Sequence, residues 1–351
     1  MINSIVENNF IEKLTRHFLR SPFQKNSIQQ TDAEIIRTEN DDFLAITTDS
    51  IVEEIACGLY DNPYLVGWMT VMVNLSDIAA VGARPLGIML SEVIPSSCPD
   101  HFLHRLQRGI RDACTACETY VLGGDTNSGE KLLMTGTAIG SCKKGQFLTR
   151  VGCQPGEILY STNQLGIGNA FALAQLGKQK NYHINFQPHA RIKEGQLLNG
   201  IATACMDTSD GVISTLDQLM RLNNVGFELN VEWQSALHPD AKLLADALGL
   251  PSWLLLAGQH GEFELIFTIP KNSEIDFLYR ASKNEWYPIP IGKVIDETAI
   301  KLNLYGETTT IDTGRIRNLP IQMNGNVENY VNELLTIDKE IQKGEHQYVS
   351  H

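Results

Sequence analysis

Four short acidic motifs punctuate the first 210 residues of the chain: TTDS at 47–50, NLSDIAAVGARP at 74–85, LGGDT at 122–126 and MDTSDG at 206–211. Each motif places an aspartate beside small or hydroxyl-bearing residues, and the third follows a short apolar run, as at the end of a strand. Aspartate oxygens can hold a hard cation, and Mg²⁺ is typically bound through one or two carboxylates together with substrate phosphates. The motifs therefore predict a metal-dependent enzyme that acts on phosphate.

Three of these motifs also have a plainer interpretation. Asp49 could cap a turn or a helix, which is a common use of aspartate. LGGDT could be a tight turn closed by its aspartate, and Ser209 or Asp210 could simply cap the helix predicted from residue 212. Asp77 is different because it lies inside an apolar helical pattern, where a buried carboxylate is costly unless it is paired or metal-bound.

The LGGDT motif also has residues suited to binding phosphate and metal. Gly123 and Gly124 would let backbone N–H groups approach a phosphate, while Asp125 and Thr126 offer oxygens to a metal. The chain lacks the G-x-x-x-x-G-K-[ST] signature of P-loop enzymes. The nine histidines, His260 among them, lack the spacing of metal ligands, and most are predicted to lie on the surface.

Composition narrows the functional class. The chain has 351 residues, of which 43% are hydrophobic, and a net charge of −13 without a dense Lys/Arg block. This argues against nucleic-acid binding, although an acidic protein can bind ATP when cations neutralise both partners. No segment approaches the length of a membrane span, and no signal peptide is evident. The seven cysteines are scattered and odd in number, which favours reduced thiols and a cytoplasmic protein.

Strand-like and helical segments alternate along the chain and predict an α/β (α+β) protein of two domains. In residues 1–150 we expect a helix near 5–19, strands at 43–48, 86–94, 120–122 and 132–140, and helices at 64–81 and 100–118. In residues 151–320 we expect strands at 158–162, 225–231, 263–269 and 289–295, and helices at 169–176, 188–204, 212–222 and 239–248. Residues 321–351 are predicted to be a polar tail, either a surface helix or a loose segment.

Taken in order, the motifs resemble those of the thiamine-monophosphate kinase family, within the superfamily that includes aminoimidazole ribonucleotide synthetase. The resemblance covers about residues 30–295 and rests on DDFLAITTDSIVEE, GWMTVMVNLSDIAAVGARPLG, VLGGDTNSG, LTRVGCQPGE, MDTSDGV and HGEFELIFTIP. It implies a two-domain PurM-like fold and a homodimer whose N-terminal sheets join across the interface. It also implies transfer of the γ-phosphate of ATP to thiamine monophosphate, with Mg²⁺ between the phosphates and the aspartates.

The resemblance also assigns site residues. It implies metal ligation by Asp32, Thr48, Asp49, Asp77, Asp125 and Asp210, nucleotide binding by Gly123, Gly124, Asp125, Thr126, Arg150 and Ser209, and catalytic roles for Asp210 and Arg150. Transfer would be direct and in line, promoted by positioning and charge neutralisation without a covalent enzyme intermediate.

Three segments depart from the family pattern. The expected GDDAA is QTDAEI at 30–35, so Thr31 replaces one aspartate of the pair. The expected EGVHF is EEIAC at 53–57, with Ala56 in place of histidine, and GGEDYEL is QHGEFEL at 259–265. Two alternatives therefore remain open: a kinase with the same machinery and another small-molecule acceptor, or a nucleotide-binding protein that has lost catalysis.

Overall fold

The structure, a computed structural model, describes residues 5–143, 145–177, 182–323 and 326–344. Two β-sheets organise these residues. A five-stranded sheet is built from β1 (Glu34–Arg37), β2 (Phe43–Ser50), β3 (Arg84–Pro95), β4 (Val121–Gly129) and β5 (Leu133–Cys142), in the order β1-β2-β5-β3-β4. Its pairs are antiparallel except for β3 and β4, which run parallel. The mixed α/β fold class predicted from the sequence is confirmed.

Four helices belong to this first half: α1 (Val6–Thr15), α2 (Val52–Ala56), α3 (Pro63–Ala80) and α4 (Asp100–Ala116). Helix α3 begins where the side chain of Asn62 accepts a hydrogen bond from the Tyr64 N–H at 3.0 Å, with Pro63 in the first turn. It is apolar on nearly every side and is buried between the sheet and α4. A Cβ on Gly67 would lie 2.0 Å from the Leu106 carbonyl oxygen, so a glycine allows the two helices to cross closely.

The second half contains a seven-stranded sheet of β6 (Ile158–Ser161), β7 (Ala204–Asp207), β8 (Gly226–Leu229), β9 (Leu265–Ile269), β10 (Ile289–Ile295), β11 (Ile300–Leu304) and β12 (Glu307–Thr310), in the order β12-β11-β8-β10-β6-β9-β7. The accompanying helices are α5 (Ile167–Leu176), α6 (Ile192–Leu198), α7 (Val212–Asn223), α8 (Pro239–Leu248), α9 (Leu254–Ala257), α10 (Glu274–Lys283), α11 (Thr313–Gln322) and α12 (Val327–Gln342). Two 3-10 turns lie at Trp233–Ala236 and Lys271–Ser273.

Two predicted elements are corrected by the structure. The helix expected at 188–204 is the shorter α6, and the fully buried strand β7 follows it. The short strand expected at 120–122 continues as β4 through the GGDT motif to Gly129. It continues because a glycine tolerates close pairing with β3: a Cβ on Gly124 would lie 1.9 Å from the Leu90 carbonyl oxygen.

Both ends of the described chain are helical. The indole N–H of Trp253 donates to Asp338 of α12 at 2.7 Å, and Leu334 and Ile337 of the same helix are buried. Helix α1 contacts the second half through polar groups, because the Val6 N–H donates to Asn318 at 3.0 Å while none of the α1 side chains is fully buried. The contact of α1 with the second half is therefore polar at this point.

Candidate metal- and phosphate-binding site

Three aspartates from separate segments meet between the two sheets. Asp32 precedes β1, Asp77 lies near the end of α3, and Asp207 is the last residue of β7. One carboxylate oxygen of each lies within 4.8 Å of the others. The cluster therefore takes ligands from both halves of the chain. It includes Asp32 and Asp77, which the sequence predicted as ligands, and Asp207, which it did not.

Hydroxyl groups and one arginine hold the three carboxylates in place. Thr47 Oγ1 donates to Asp77 at 2.6 Å, and Ser76 Oγ donates to Asp207 at 2.5 Å. Ser209 Oγ also donates to Asp207, at 2.9 Å. The guanidinium of Arg150 donates to both oxygens of Asp32, at 2.9 and 3.2 Å. Arg150 and Ser209, both predicted site residues, are thus in contact with the acid cluster.

The charges of this cluster are not balanced by these contacts. Burial raises the pKa of Asp77 well above its usual range, and the neighbouring Asp207 and Asp32 raise it further. Burial, followed by Asp32, raises the pKa of Asp207 to about 7. Oxygen ligands with a surplus of negative charge are what a hard divalent cation requires. The donor set therefore fits Mg²⁺.

Asp210 lies next to this cluster, immediately before α7. Burial raises its pKa to about 6, and Glu7 raises it further while Arg317 and Arg150 lower it. Among the described residues no side chain caps α7, so helix capping does not account for the SDG sequence. Asp210, Arg150 and Arg317 line a cavity of about 190 Å³. Arg150 is paired with Asp32, and Arg317 with Asp217 and Glu7. The N-terminus of α7 lies at the same cavity, where its N–H groups suit a phosphate.

The TTDS motif places its side chains on both faces of the first sheet. Thr47 faces α3, and alternation along the strand directs Asp49 to the same side. The Asp49 N–H donates to Asn74 Oδ1 at 2.9 Å, and burial raises the pKa of the Asp49 carboxyl. Thr48 lies on the opposite face, where its hydroxyl donates to the Gly136 carbonyl at 2.8 Å.

Asp125 is remote from Asp49 within the same chain. Asp49 is in register with Gly136, Gly136 with Leu90, and Leu90 with Gly124. Three strand spacings separate the two aspartate-bearing strands, or about 14 Å. Gly124 lies in the same row across the sheet as Asp49, so the two residues share one face. Asp125 is the next residue along β4, and its side chain therefore points to the opposite face.

The GGDT motif is exposed and extended. The tight turn that LGGDT could have formed is not found, because Gly123, Gly124, Asp125 and Thr126 all belong to β4, which is exposed along its whole length. Asn127 donates to Asp125 at 2.6 Å. The involvement of these four residues in nucleotide binding stays a prediction.

A second group of residues near the site was not found from the sequence. His260 is buried rather than on the surface, and its ring contacts the hydroxyl of Tyr60. Glu262 is 3% exposed, and its Oε1 atom has no hydrogen-bond partner among the described residues. Burial raises the pKa of Glu262 to about 8. The departure of the segment at 259–265 from the family pattern was the signal that pointed to this region.

Comparison with known proteins agrees with the fold. The family described as AIR synthase related protein, N-terminal domain, matches residues 30–142. A thiamine-monophosphate kinase of Pyrococcus abyssi is 27% identical over 310 residues, covering 86% of this chain and 96% of the relative. The enzyme of that name from Buchnera aphidicola subsp. Schizaphis graminum is 32% identical over 282 residues, covering 76% and 85%.

Solved structures share the fold. A ThiL structure complexed with AMPPCP and TMP has a TM-score of 0.71 at 22% identity, covering 87% of this chain and 96% of that chain. The hydrogenase maturation protein HypE of E. coli has a TM-score of 0.65 at 20% identity, covering 88% and 98%. These likenesses confirm the PurM-like architecture. With the sequence identity to the Buchnera enzyme, they establish that the chain belongs to the thiamine-monophosphate kinase family.

Proposed function

We propose that this protein transfers the γ-phosphate of ATP to thiamine monophosphate and produces thiamine diphosphate. The observation that carries the proposal is the meeting of Asp32, Asp77 and Asp207 next to the Arg150 guanidinium. Relatives that share the fold over most of their length are named for this reaction, and one similar structure is complexed with AMPPCP and TMP.

The side chains of this site act on phosphate by position and charge. Arg150 and the N-terminus of α7 offer donors to phosphate oxygens at the cavity that Asp210 lines. Thr47, Ser76 and Ser209 fix the carboxylate orientations, so that little reorganisation is needed when ligands enter. Catalysis then depends on holding the acceptor phosphate in line with the γ-phosphate.

The carboxylates of Asp32, Asp77 and Asp207 would hold Mg²⁺, and Asp49 interacts electrostatically with both Asp77 and Asp210. Bound there, Mg²⁺ supplies positive charge that offsets both the carboxylates and the developing charge on the transferred phosphoryl group. Glu54 adds a further carboxyl to this region. Its pKa is raised first by burial and then by Asp49, Glu53 and Asp210.

A homodimer that joins the first sheets of two protomers is part of the proposal. β4 is the outer strand of its sheet and is fully exposed, and a long exposed edge strand is a template for pairing or covering. Apolar side chains are exposed on and beside it: Leu86, Met89, Tyr120, Val121 and Leu122. Analytical ultracentrifugation of the protein and of a Val121→Glu variant tests the dimer.

We also place the protein in the cytoplasm, since all seven cysteines, each within the described residues, are free thiols. No helix in the described ranges is long and apolar enough to cross a membrane.

The deciding experiment is ADP release with ATP, Mg²⁺ and thiamine monophosphate, with a control that lacks the acceptor. Acceptor-dependent release is expected in the wild type and is expected to be lost in Asp77→Asn. Absence of release while Mg²⁺-dependent ATP binding persists would contradict the proposal. Because Asp77→Asn alters the metal cluster, its loss of ADP release tests the metal site. The control without thiamine monophosphate tests the need for the acceptor.

A kinase with another acceptor is the second candidate. The specific observation in its favour is the segment at 259–265, where Glu262 is a buried acid with an unpartnered oxygen and Gly261 replaces the glutamate of the family pattern. A thermal-shift screen of phosphorylated and alcohol acceptors with a nonhydrolysable ATP analogue separates the two candidates. Stabilisation by another acceptor and none by thiamine monophosphate would favour the second.

A further inference from the structure

The segment 258–264, between α9 and β9, is tied to the acidic turn at 207–210. The Gly261 N–H donates to the Ser209 carbonyl at 2.9 Å. The Thr208 N–H donates to the Glu264 carbonyl at 2.8 Å, and the Glu264 N–H donates to Thr208 Oγ1 at 3.0 Å. These bonds flank Asp207 of the metal cluster on its C-terminal side. A displacement of the segment would therefore displace the turn.

Close backbone contacts constrain the conformation of this segment. A Cβ on Gly261 would lie 1.4 Å from the Thr208 carbonyl oxygen, so the backbones touch directly. Phe263 is buried with a φ of +61°, a conformation that costs an aromatic residue free energy and persists only when the surroundings enforce it. Strain of this kind is concentrated at functional sites.

His260 connects this segment to the other half of the chain. Its Nδ1 lies 3.1 Å from the Gly168 carbonyl oxygen and its Nε2 lies 2.6 Å from the Tyr60 hydroxyl oxygen. A carbonyl oxygen only accepts, so Nδ1 carries the proton, Nε2 accepts, and the Tyr60 hydroxyl donates. Burial lowers the pKa of His260 to about 4, so the neutral ring required by this pattern is the form present at neutral pH.

Tyr60 is fixed to the first half of the chain close to the TTDS motif. It follows α2, which begins directly after the TTDS end of β2, and its N–H donates to the Glu54 carbonyl at 3.2 Å. Tyr60 and His260 are 2% and 9% exposed and pack with the rings of Phe171 and Phe186. The hydrogen bond is therefore shielded from water, where its loss leaves a buried acceptor without a partner.

We propose that Tyr60 and His260 form an interdomain latch that positions the 207–210 turn against the TTDS end of β2, so that both parts of the metal- and phosphate-binding site are held in register. Both are positioning residues, because they act through the two backbone segments. The inference rests on the proposed function for its catalytic consequence. Its consequence for nucleotide binding is independent of which acceptor the protein uses.

Matched variants test the latch. Tyr60→Phe removes only the donating hydroxyl. His260→Gln keeps an acceptor near the Nε2 position, whereas His260→Asn keeps a donor near Nδ1 and removes the acceptor. Tyr160→Phe is the control. It removes the hydroxyl of a tyrosine in the second sheet, which donates to the Glu274 carboxylate at 2.7 Å. Melting temperature, Mg²⁺-dependent affinity for a nonhydrolysable ATP analogue, and kcat and KM are measured for each.

Tyr60→Phe and His260→Asn are expected to weaken binding of the ATP analogue in Mg²⁺ and to lower kcat, each roughly tenfold or more, since small displacements of positioned groups have large effects. The acceptor KM should change little. Their double variant should be no worse than either single variant, because both remove one interaction. His260→Gln should recover most of the binding, and Tyr160→Phe should change the melting temperature only.

The latch would be overturned if Tyr60→Phe bound the ATP analogue as tightly as the wild type does. It would also be overturned if His260→Gln and His260→Asn lost the same affinity for the analogue. Failure of the proposed function has a different signature. The wild type would then bind the analogue and show no turnover with thiamine monophosphate, while the binding differences among the variants would still decide the latch.

Discussion

Co-expression of Asp125→Asn and Asp77→Asn chains is expected to restore about a quarter of wild-type activity, whereas each variant alone is expected to be inactive. Within one chain, Asp125 is about 14 Å from Asp49 in strand spacing and faces the opposite side of the sheet. A side chain of aspartate length does not bridge that distance. If Asp125 serves a metal site in a homodimer, that site belongs to the partner protomer.

The magnitude follows from the symmetry of a dimer. Random mixing of two chains gives heterodimers as half of all dimers, and each heterodimer has two sites. One site combines both substitutions, and the other combines the intact Asp77 of one chain with the intact Asp125 of the other. Half of the dimers with one active site of two gives about 25% of wild-type turnover. Heterodimers purified through two different tags should reach about half.

The control pairs two substitutions in one cluster. Asp77 and Asp207 of the same chain lie within ligand distance of each other, so mixing Asp77→Asn with Asp207→Asn leaves every site defective. That mixture should remain at background. ADP release with ATP, Mg²⁺ and thiamine monophosphate is the assay. Background activity in the Asp77/Asp125 mixture, with heterodimers confirmed by their tags, would refute the shared site.

Three further predictions concern stability. The pKa of Glu262 is about 8 in the folded protein and near 4.5 in the unfolded chain, so the folded state binds more protons between these values and stability falls as pH rises through that window. Glu262→Gln should remove a slope of order 1 kcal/mol per pH unit from the free energy of unfolding. An unchanged slope in urea titrations from pH 6 to 8 would contradict this. Gly261→Ala should cost about 3 kcal/mol by driving a Cβ against Thr208, against about 1 kcal/mol for Gly58→Ala in open space, and equal losses in thermal melts would be inconsistent with the packing. Thr31→Asp should lower the melting temperature without Mg²⁺ and increase the rise on adding it, relative to Thr31→Asn; identical Mg²⁺ responses would count against a role for this position in the metal site.

Much of the first half could be predicted because its signals are local. The apolar run that becomes α3 is preceded by Asn62 and Pro63 and followed by Pro85, so the pattern set both its type and its limits. The aspartate within it was identified as costly to bury, and the structure places Asp77 among other carboxylates. In the second half, strand β10 was predicted at 289–295, where it occurs.

The errors arise where contacts distant in sequence decide the structure. The strand β7 has only four residues, and its burial comes from pairing with β9 and packing by α3. When β7 is not recognised in the sequence, Asp207 is interpreted as part of a helix cap. Only Asp210 of this motif is then predicted as a metal ligand. The glycines of GGDT indicate a turn locally, but pairing with β3 makes them a strand. The bond between Tyr60 and His260 spans 200 positions, and no local pattern encodes it.

Arg150 links the charge balance of the carboxylate cluster to the binding of phosphate. Its backbone is fixed on both sides, because its N–H donates to the Gln30 carbonyl at 2.8 Å and its own carbonyl accepts from Asn223 at 2.8 Å. Its side chain pairs with Asp32 and also lines the cavity beside Asp210. A divalent cation on Asp32 would compete for the same carboxylate oxygens, so the guanidinium would become available to phosphate as the cation arrives. The acidic chain would therefore need no surplus of basic residues to receive ATP, because a cation held by the carboxylates would also free the arginine.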